Sequence, residues 1–389
     1  MIKIQRYWRN WFLLALWCCA CTAGSVAVAS SVPDRALDST RLDSVPLDTA
    51  HLTRMIENEL AVSHIPGAVV LIGQGNRILY RQAFGLRSLI PVRQPMQIDT
   101  VFDIASLTKV VATTPAIMQL VEQGKLQLNR PVADYWPDFA AHGKGTMTVQ
   151  QLLTHTSGLR PDLDLRTAWQ GGIQARARMI DETPVARPGM RFIYSDINFM
   201  VLAELVQRLS GLPFEQYCQT HIFQPLGMTH TRFLPPASWQ KIITPNDIQD
   251  GVLRWGQVQD PTAFRMGGVA GHAGVFSTAG DLARFAQMLV APEHTVLSSS
   301  SMRAMQHAYP VPGGVIRGLG WDKHSPYSFQ LDSAFGPQSF GHTGYTGTML
   351  WIDPQRQRYV IVLANPLHPA HQGSVLHLRR LVMALAAGI

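Results

Sequence analysis

Ser106-Leu107-Thr108-Lys109 is the first string in this chain whose residue types and spacing could do covalent chemistry. On a helix, a separation of three puts both side chains on one face, with the amine in reach of the hydroxyl. A serine at a helix N-terminus also carries a backbone N–H able to stabilise an oxyanion. One Ser-x-x-Lys is expected by chance in a chain this long, so the string gains meaning only from its companions. Two follow in order: Tyr194-Ser195-Asp196, then His342-Thr343-Gly344-Tyr345. Tyr194 offers a phenol that can take a proton from a serine as phenolate or give one to a leaving group as phenol. His342 and Thr343 could hydrogen-bond a substrate carboxylate. Gly344 permits close backbone approach, and the N–H of Tyr345 would be a second oxyanion donor.

The proton logic leaves two readings open. Lys109 acts as a base only when neutral, and holding it neutral at pH 7 costs about 4.6 kcal/mol from an ordinary lysine pKa. Burial or a second cation can lower that cost. If Lys109 stays charged, it instead eases the ionisation of Tyr194, which becomes the base.

Regular elements must hold these residues. Leu107 to Gln123 has the pattern of a buried helix starting at the nucleophile, closed by Gly124-Lys125. Met200 to Leu209 reads as a second helix, ended by Ser210-Gly211. Thr278-Ala279-Gly280-Asp281 has the form of a capping box ahead of a helix reaching Val290. Ala68 to Ile72 and Arg77 to Ala83 form a hairpin around Gln74-Gly75-Asn76. Thr348 to Ile352 and Arg358 to Ala364 form another around Asp353-Pro354, followed by a helix from about Ser374 to Ala387. His-Thr-Gly precedes that hairpin and is expected on a sheet-edge strand. The long Gly/Pro/polar stretch from Pro235 to Gly274 is expected to line or cover a site. Hairpins at both ends with helices between predict an α+β fold: an antiparallel sheet built from the two termini, flanking helices, and a mostly helical insertion.

The joint pattern resembles the serine beta-lactamase and penicillin-binding protein superfamily, in the branch holding class C beta-lactamases, D-alanyl-D-alanine carboxypeptidases and related esterases. Gln151-Leu152-Leu153-Thr154-His155-Thr156-Ser157-Gly158-Leu159 carries the resemblance further. Met266-Gly267-Gly268-Val269-Ala270-Gly271-His272-Ala273-Gly274 and Gly341-His342-Thr343-Gly344-Tyr345-Thr346-Gly347-Thr348 look most like the periplasmic carboxypeptidases of the penicillin-binding protein 4B type. The resemblance spans about residues 50 to 389. It implies a transpeptidase-like fold, catalytic Ser106, Lys109 and Tyr194, and Asp196, His342, Thr343, Gly344 and Tyr345 around substrate and oxyanion. It implies D-Ala-D-Ala stem peptides of peptidoglycan as substrate and beta-lactams as covalent inhibitors. An esterase acting on small acyl substrates, a weak beta-lactamase and a non-catalytic wall-peptide binder are the alternatives. Two positions depart from the common pattern. Asp196 stands where asparagine is usual, and an ionised Asp cannot donate to a substrate amide. His342 stands where lysine is usual, so any grip on a carboxylate would depend on pH. His155 and His272, beside Gly, Ser and Thr, read as loop-fixing hydrogen-bonders.

Composition sets the limits. Among 389 residues 46% are hydrophobic and 15% charged, as in a globular protein. A net charge of +7 without basic runs interleaved with aromatics points away from nucleic acid. There is no Gly-x-Ser-x-Gly elbow, no His-Glu-x-x-His and no paired-Cys spacing, so neither a metal nor a cofactor is expected. Lys3, Arg6 and Arg9 precede an apolar stretch from Trp11 to Ala29, with Ala27-Val28-Ala29 as a small-x-small site. Residues 1–29 thus read as a signal peptide or a retained inner-membrane anchor, and 30–50 as a tether. Residues 51–389 read as one hydrolase domain working in the periplasm, with membrane contact only through the N-terminal segment. Cys18, Cys19 and Cys21 fall in the export segment, leaving Cys218 as a small core residue.

Overall fold

The computed structural model describes residues 48–290, 296–328, 331, 334–370 and 373–389. The export segment and the tether through residue 47 lie outside the described residues, and the last tether residues, Thr49 and Ala50, instead begin the first helix. No helix among the described residues is long and apolar enough to cross a membrane.

The central element is a nine-stranded antiparallel sheet. Its strands in chain order are β1 (Gly67–Gln74), β2 (Arg77–Ser88), β3 (Gln94–Pro95), β4 (Tyr309–Val311), β5 (Val315–Arg317), β6 (Asp322–His324), β7 (Phe340–Thr343), β8 (Thr348–Asp353) and β9 (Arg358–Ala364). In space the order is β3-β2-β1-β9-β8-β7-β6-β5-β4. The N-terminal hairpin therefore meets the C-terminal one, with Ala68 opposite Ala364 and Gln74 opposite Arg358. The α+β expectation holds.

Both faces of the central strands are buried, which explains their unbroken apolar runs. Val69 and Leu71 of β1 and Ile361 and Leu363 of β9 face the larger core, shared with the inserted helices. Ala68, Val70, Val360 and Val362 face a second core. Two helices from the ends of the described chain cover it: α1 (Thr49–Val62), through Leu52, Ile56 and Leu60, and α5 (Leu376–Ala387), through Leu378, Val382 and Met383. The inserted region contains α2 (Thr114–Glu122), α3 (Asp196–Ser210) and α4 (Ala279–Val290). Helix α3 is buried continuously from Ile197 to Val206 and ends at Gly211, whose φ of +75° suits the left-handed closing position. Cys218 is buried, as expected of a core residue.

Three local expectations change. The predicted helix from Leu107 is not one continuous α-helix. Ala105–Leu107 form a tight 3-10 turn, Lys109–Thr113 a π turn, and regular α-helix begins at Thr114. Such widened turns recur at functional sites because they re-aim side chains. Thr278 caps α4, accepting from the Asp281 N–H at 3.1 Å, but the reciprocal half of the box does not form. The Asp281 carboxylate instead accepts from the His230 N–H at 2.7 Å and the Thr231 hydroxyl at 2.8 Å. Finally, β7 is an interior strand and not an edge. Its only register pair with β6 is Gly341 opposite Asp322, so beyond Gly341 its outer side is open. The site therefore has the access an edge would provide inside a continuous sheet.

Candidate active site

The chain enters the site through the short strand Phe102–Asp103 and turns sharply at Ala105, whose φ is +47°. A left-handed alanine is strained, and specific bonds hold it there. The Ala105 N–H donates to Asp103 Oδ1 at 2.9 Å. Asp103 also accepts from the Gln259 N–H at 2.7 Å and Asn246 Nδ2 at 3.3 Å. Burial pushes its carboxyl up to about 6. The stretch from Pro235 to Gly274 thus braces the Ser106 turn through Asp103. From the other side, Thr346 Oγ1 donates to the Asp103 carbonyl at 2.7 Å and Thr348 Oγ1 to the Ile104 carbonyl at 3.0 Å. These straps bring the end of β7 against the Ser106 turn. Gly344 has to be glycine at that contact, because a Cβ would lie 2.1 Å from Thr348 Oγ1 and 2.6 Å from the Ile104 carbonyl oxygen.

Ser106 and Lys109 meet as their spacing required: Lys109 Nζ donates to Ser106 Oγ at 3.0 Å. The lysine side chain is fully buried and Nζ lies 2.6 Å from Asp196 Oδ1, the first residue of α3. Nζ also donates to the His272 carbonyl at 3.3 Å and sits 4.9 Å from the centroid of the Tyr194 ring. Burial alone would lower the amine's pKa, but the Asp196 carboxylate and the Tyr194 hydroxyl outweigh it and raise it above the ordinary lysine value. Lys109 is therefore an ammonium at rest. Burial raises the Tyr194 pKa more than the neighbouring Lys109 lowers it, so it rests as a neutral phenol.

Behind this group, His272 Nε2 faces Asp260 Oδ1 at 2.9 Å. Burial opposes protonation of His272, yet Asp260 and Asp196 push its pKa up, and Asp260 itself is lowered to about 2. Asp196, Asp260 and His272 have candidate metal-ligand atoms within 4.8 Å of one another. The Lys109 ammonium already sits on Asp196, and a metal there would meet its repulsion.

Ser106 opens onto a cavity of about 310 Å³ whose walls include Tyr194, Tyr327, His342, Tyr345 and Arg379. Thr343 and Gly344 line it too. His342 is buried and its Nδ1 lies 2.8 Å from the Thr343 carbonyl, which can only accept, so Nδ1 carries the proton. Burial first, then Lys109 and Arg317, hold its pKa well below the ordinary histidine value. The ring is neutral and its free nitrogen is an acceptor. The expected hydrogen bond from His342 to a substrate carboxylate is therefore corrected: in this tautomer it has no proton to give.

Among the described residues that line the cavity, the cation is Arg379, which the sequence did not single out. It stands on α5, where an arginine on an amphipathic helix carries no signal. Its guanidinium donates to the carbonyls of Gly344 and Thr348, both at 2.8 Å. Burial lowers its pKa to about 10, which leaves it charged at neutral pH.

A family model described as Beta-lactamase matches residues 52–384. The chain is 31% identical over 398 residues to an Escherichia coli K12 protein named "Putative D-alanyl-D-alanine carboxypeptidase", covering 92% of this chain and 89% of that one. A Salmonella agona protein of the same name is 31% identical over 84% of this chain and 85% of its own. Among solved structures, the octameric penicillin-binding protein homologue from Pyrococcus abyssi superposes with a TM-score of 0.71 at 26% identity, over 88% of this chain and 78% of that one. A class C beta-lactamase superposes at 0.72 with 20% identity, over 88% and 98%, which speaks to the fold alone. With the site's geometry in place and the match running through nearly the whole described chain, the protein belongs to the beta-lactamase family of serine hydrolases.

Proposed function

We propose that this protein is a serine-type D-alanyl-D-alanine carboxypeptidase acting on peptidoglycan stem peptides through an acyl-enzyme. The observation that carries the reading is a serine bonded to a buried ammonium, sharing with a phenol and an arginine the walls of one cavity. A terminal D-Ala carboxylate is the kind of group a guanidinium recognises.

The resting protonation states suggest how protons move. Ser106 Oγ attacks the carbonyl of the penultimate D-Ala; its proton passes to the Tyr194 oxygen while the Tyr194 proton goes to the leaving nitrogen. The phenol is regenerated and never has to ionise fully. Lys109 stabilises the negative charge that gathers on the phenol oxygen during the transfer. The backbone N–H groups of Ser106 and Tyr345 receive the oxyanion. Water then attacks the ester, returning a proton through Tyr194 to Ser106 Oγ. Beta-lactams would acylate the same hydroxyl.

Residues 1–29 would export the enzyme to the periplasm, by cleavage or as an inner-membrane anchor; fractionation of the tagged full chain tests this. The activity is tested by D-Ala release from diacetyl-Lys-D-Ala-D-Ala, with Ser106→Ala inactive. A second reading, an exported esterase of the same chemistry, is favoured by Asp196 and neutral His342, which remove two donors that peptide substrates ordinarily use. Ser106-dependent hydrolysis of small acyl esters without D-Ala release would replace the first reading with the second.

A further inference from the structure

Tyr194 lies in an irregular segment just ahead of α3, so no helix or strand ladder holds it in place. We propose that His155 is its positioning residue, gripping the backbone N–H groups of the residues on both sides of the tyrosine and backing its ring. The inference rests on the acyl-transfer reading above.

The contacts are specific. The His155 carbonyl accepts from the Ile193 N–H at 2.9 Å, and its Nδ1 accepts from the Ser195 N–H at 3.0 Å. The imidazole stacks on the Tyr194 ring with centroids 4.5 Å apart and planes 27° from parallel. One residue thus contacts positions 193, 194 and 195. Its own orientation is set from behind. Asn198 Nδ2 faces Nδ1 at 3.4 Å, with the Asn198 oxygen committed to the Ser157 hydroxyl at 2.6 Å. A backbone N–H can only donate, so Nδ1 is the lone-pair nitrogen and the proton sits on Nε2. That Nε2 is buried with no hydrogen-bond partner among the described residues. An unsatisfied buried donor is a cost, and it persists here with a left-handed backbone at φ +56°. Both are explained if the residue is kept for its other side. Burial, followed by Arg317, Lys109 and His342, keeps the ring neutral, so the acceptor is always available.

The alternatives separate by what they preserve. His155→Phe keeps a ring and loses the acceptor. His155→Asn keeps an acceptor near the same place and tolerates the left-handed backbone. The readout is the second-order rate of Ser106 labelling by a fluorescent fluorophosphonate, with the melting temperature followed in parallel. We expect H155F to label about 30-fold more slowly, since small misplacements of a proton-transfer group cost up to ~100-fold. H155N should stay within about 3-fold of wild type. In a Tyr194→Phe background, H155F should cause no further slowing, because it acts only through the phenol. An equal slowing in both backgrounds would assign His155 a merely structural role and overturn the proposal. So would wild-type labelling by H155F, or an H155N rate as low as that expected of H155F at unchanged melting temperature. The H155N arm decides the matter if H155F fails to fold. A wild-type protein that does not label at Ser106 overturns the acyl-transfer reading, and this proposal with it.

Discussion

At the scale of residues, two side chains carry meanings their types alone did not. Asp196 is the partner that keeps a buried lysine charged. Replacing it with the neutral isostere, Asp196→Asn, leaves burial to act on Lys109 with less opposition. The lysine pKa then falls, and activity that needs the ammonium is lost at lower pH. The alkaline limb of kcat/KM should move down by at least about one unit, read from a pH–rate profile. Arg379 is the anchor for the carboxylate in the proposed reaction. Arg379→Gln should raise KM for a D-Ala-D-Ala peptide by roughly 10- to 100-fold while changing turnover of a neutral ester little. Ser106, Lys109 and Tyr194 were legible in the sequence because each is chemically able to do its part wherever it is brought together. Arg379 was not, because an arginine on a terminal helix has many ordinary uses. The neutrality of His342 was hidden too, since burial and the neighbouring cations Lys109, Arg317 and Arg379 decide it.

At the scale of elements, the site depends on how closely the end of β7 is strapped to the Ser106 turn. Gly344→Ala would push a methyl into Thr348 Oγ1 and the Ile104 carbonyl. The backbone on both sides is tied, so the strand must back away from Ser106. Steady-state kinetics should show kcat reduced ~100-fold or more, because the proposed oxyanion donor, the Tyr345 N–H, moves with it. Thr348→Val removes only the strap to Ile104, and a destabilisation of about 1 kcal/mol in urea titration is expected. The helices and hairpins were readable from their periodicities and turn residues. The π turn at Lys109–Thr113 and the unpaired side of β7 were not. The π turn runs into Pro115, which has no N–H for the helix ladder, and the open side of β7 depends on where the distant strand β6 ends; neither shows in apolar periodicity.

At the scale of the whole molecule, the buried acids shape stability against pH. Burial raises Asp162 to about 6 from an ordinary value of 3.8. A pKa higher in the folded than in the unfolded state means the folded form binds the proton more tightly. The stability from this group is full below about pH 4 and lost as pH rises through about 6. Asp260, lowered to about 2, has the opposite sign: its contribution is present above about pH 4 and lost as pH falls through about 2. Asp162→Asn can keep its hydrogen bonds, since Oδ1 still accepts from the Leu163 N–H and the Thr262 hydroxyl can turn to accept. Thermal melts should show D162N more stable than wild type above pH 6, by at most about 3 kcal/mol, with the two converging near pH 4.

The sequence by itself determined the candidate nucleophile with its lysine and tyrosine, the apolar patterns of the sheet and the α+β class. These follow from side-chain chemistry and short-range periodicity, which survive without knowledge of the fold. Tertiary structure decided the charge on Lys109, the tautomer of His342, the arrival of Arg379 and the bracing of Ser106 by Asp103, Thr346 and Thr348. Each of those depends on burial and on partners distant in the chain. Protonation and hydrogen bonding respond to such neighbours at distances of a few ångströms, and folding alone sets those distances.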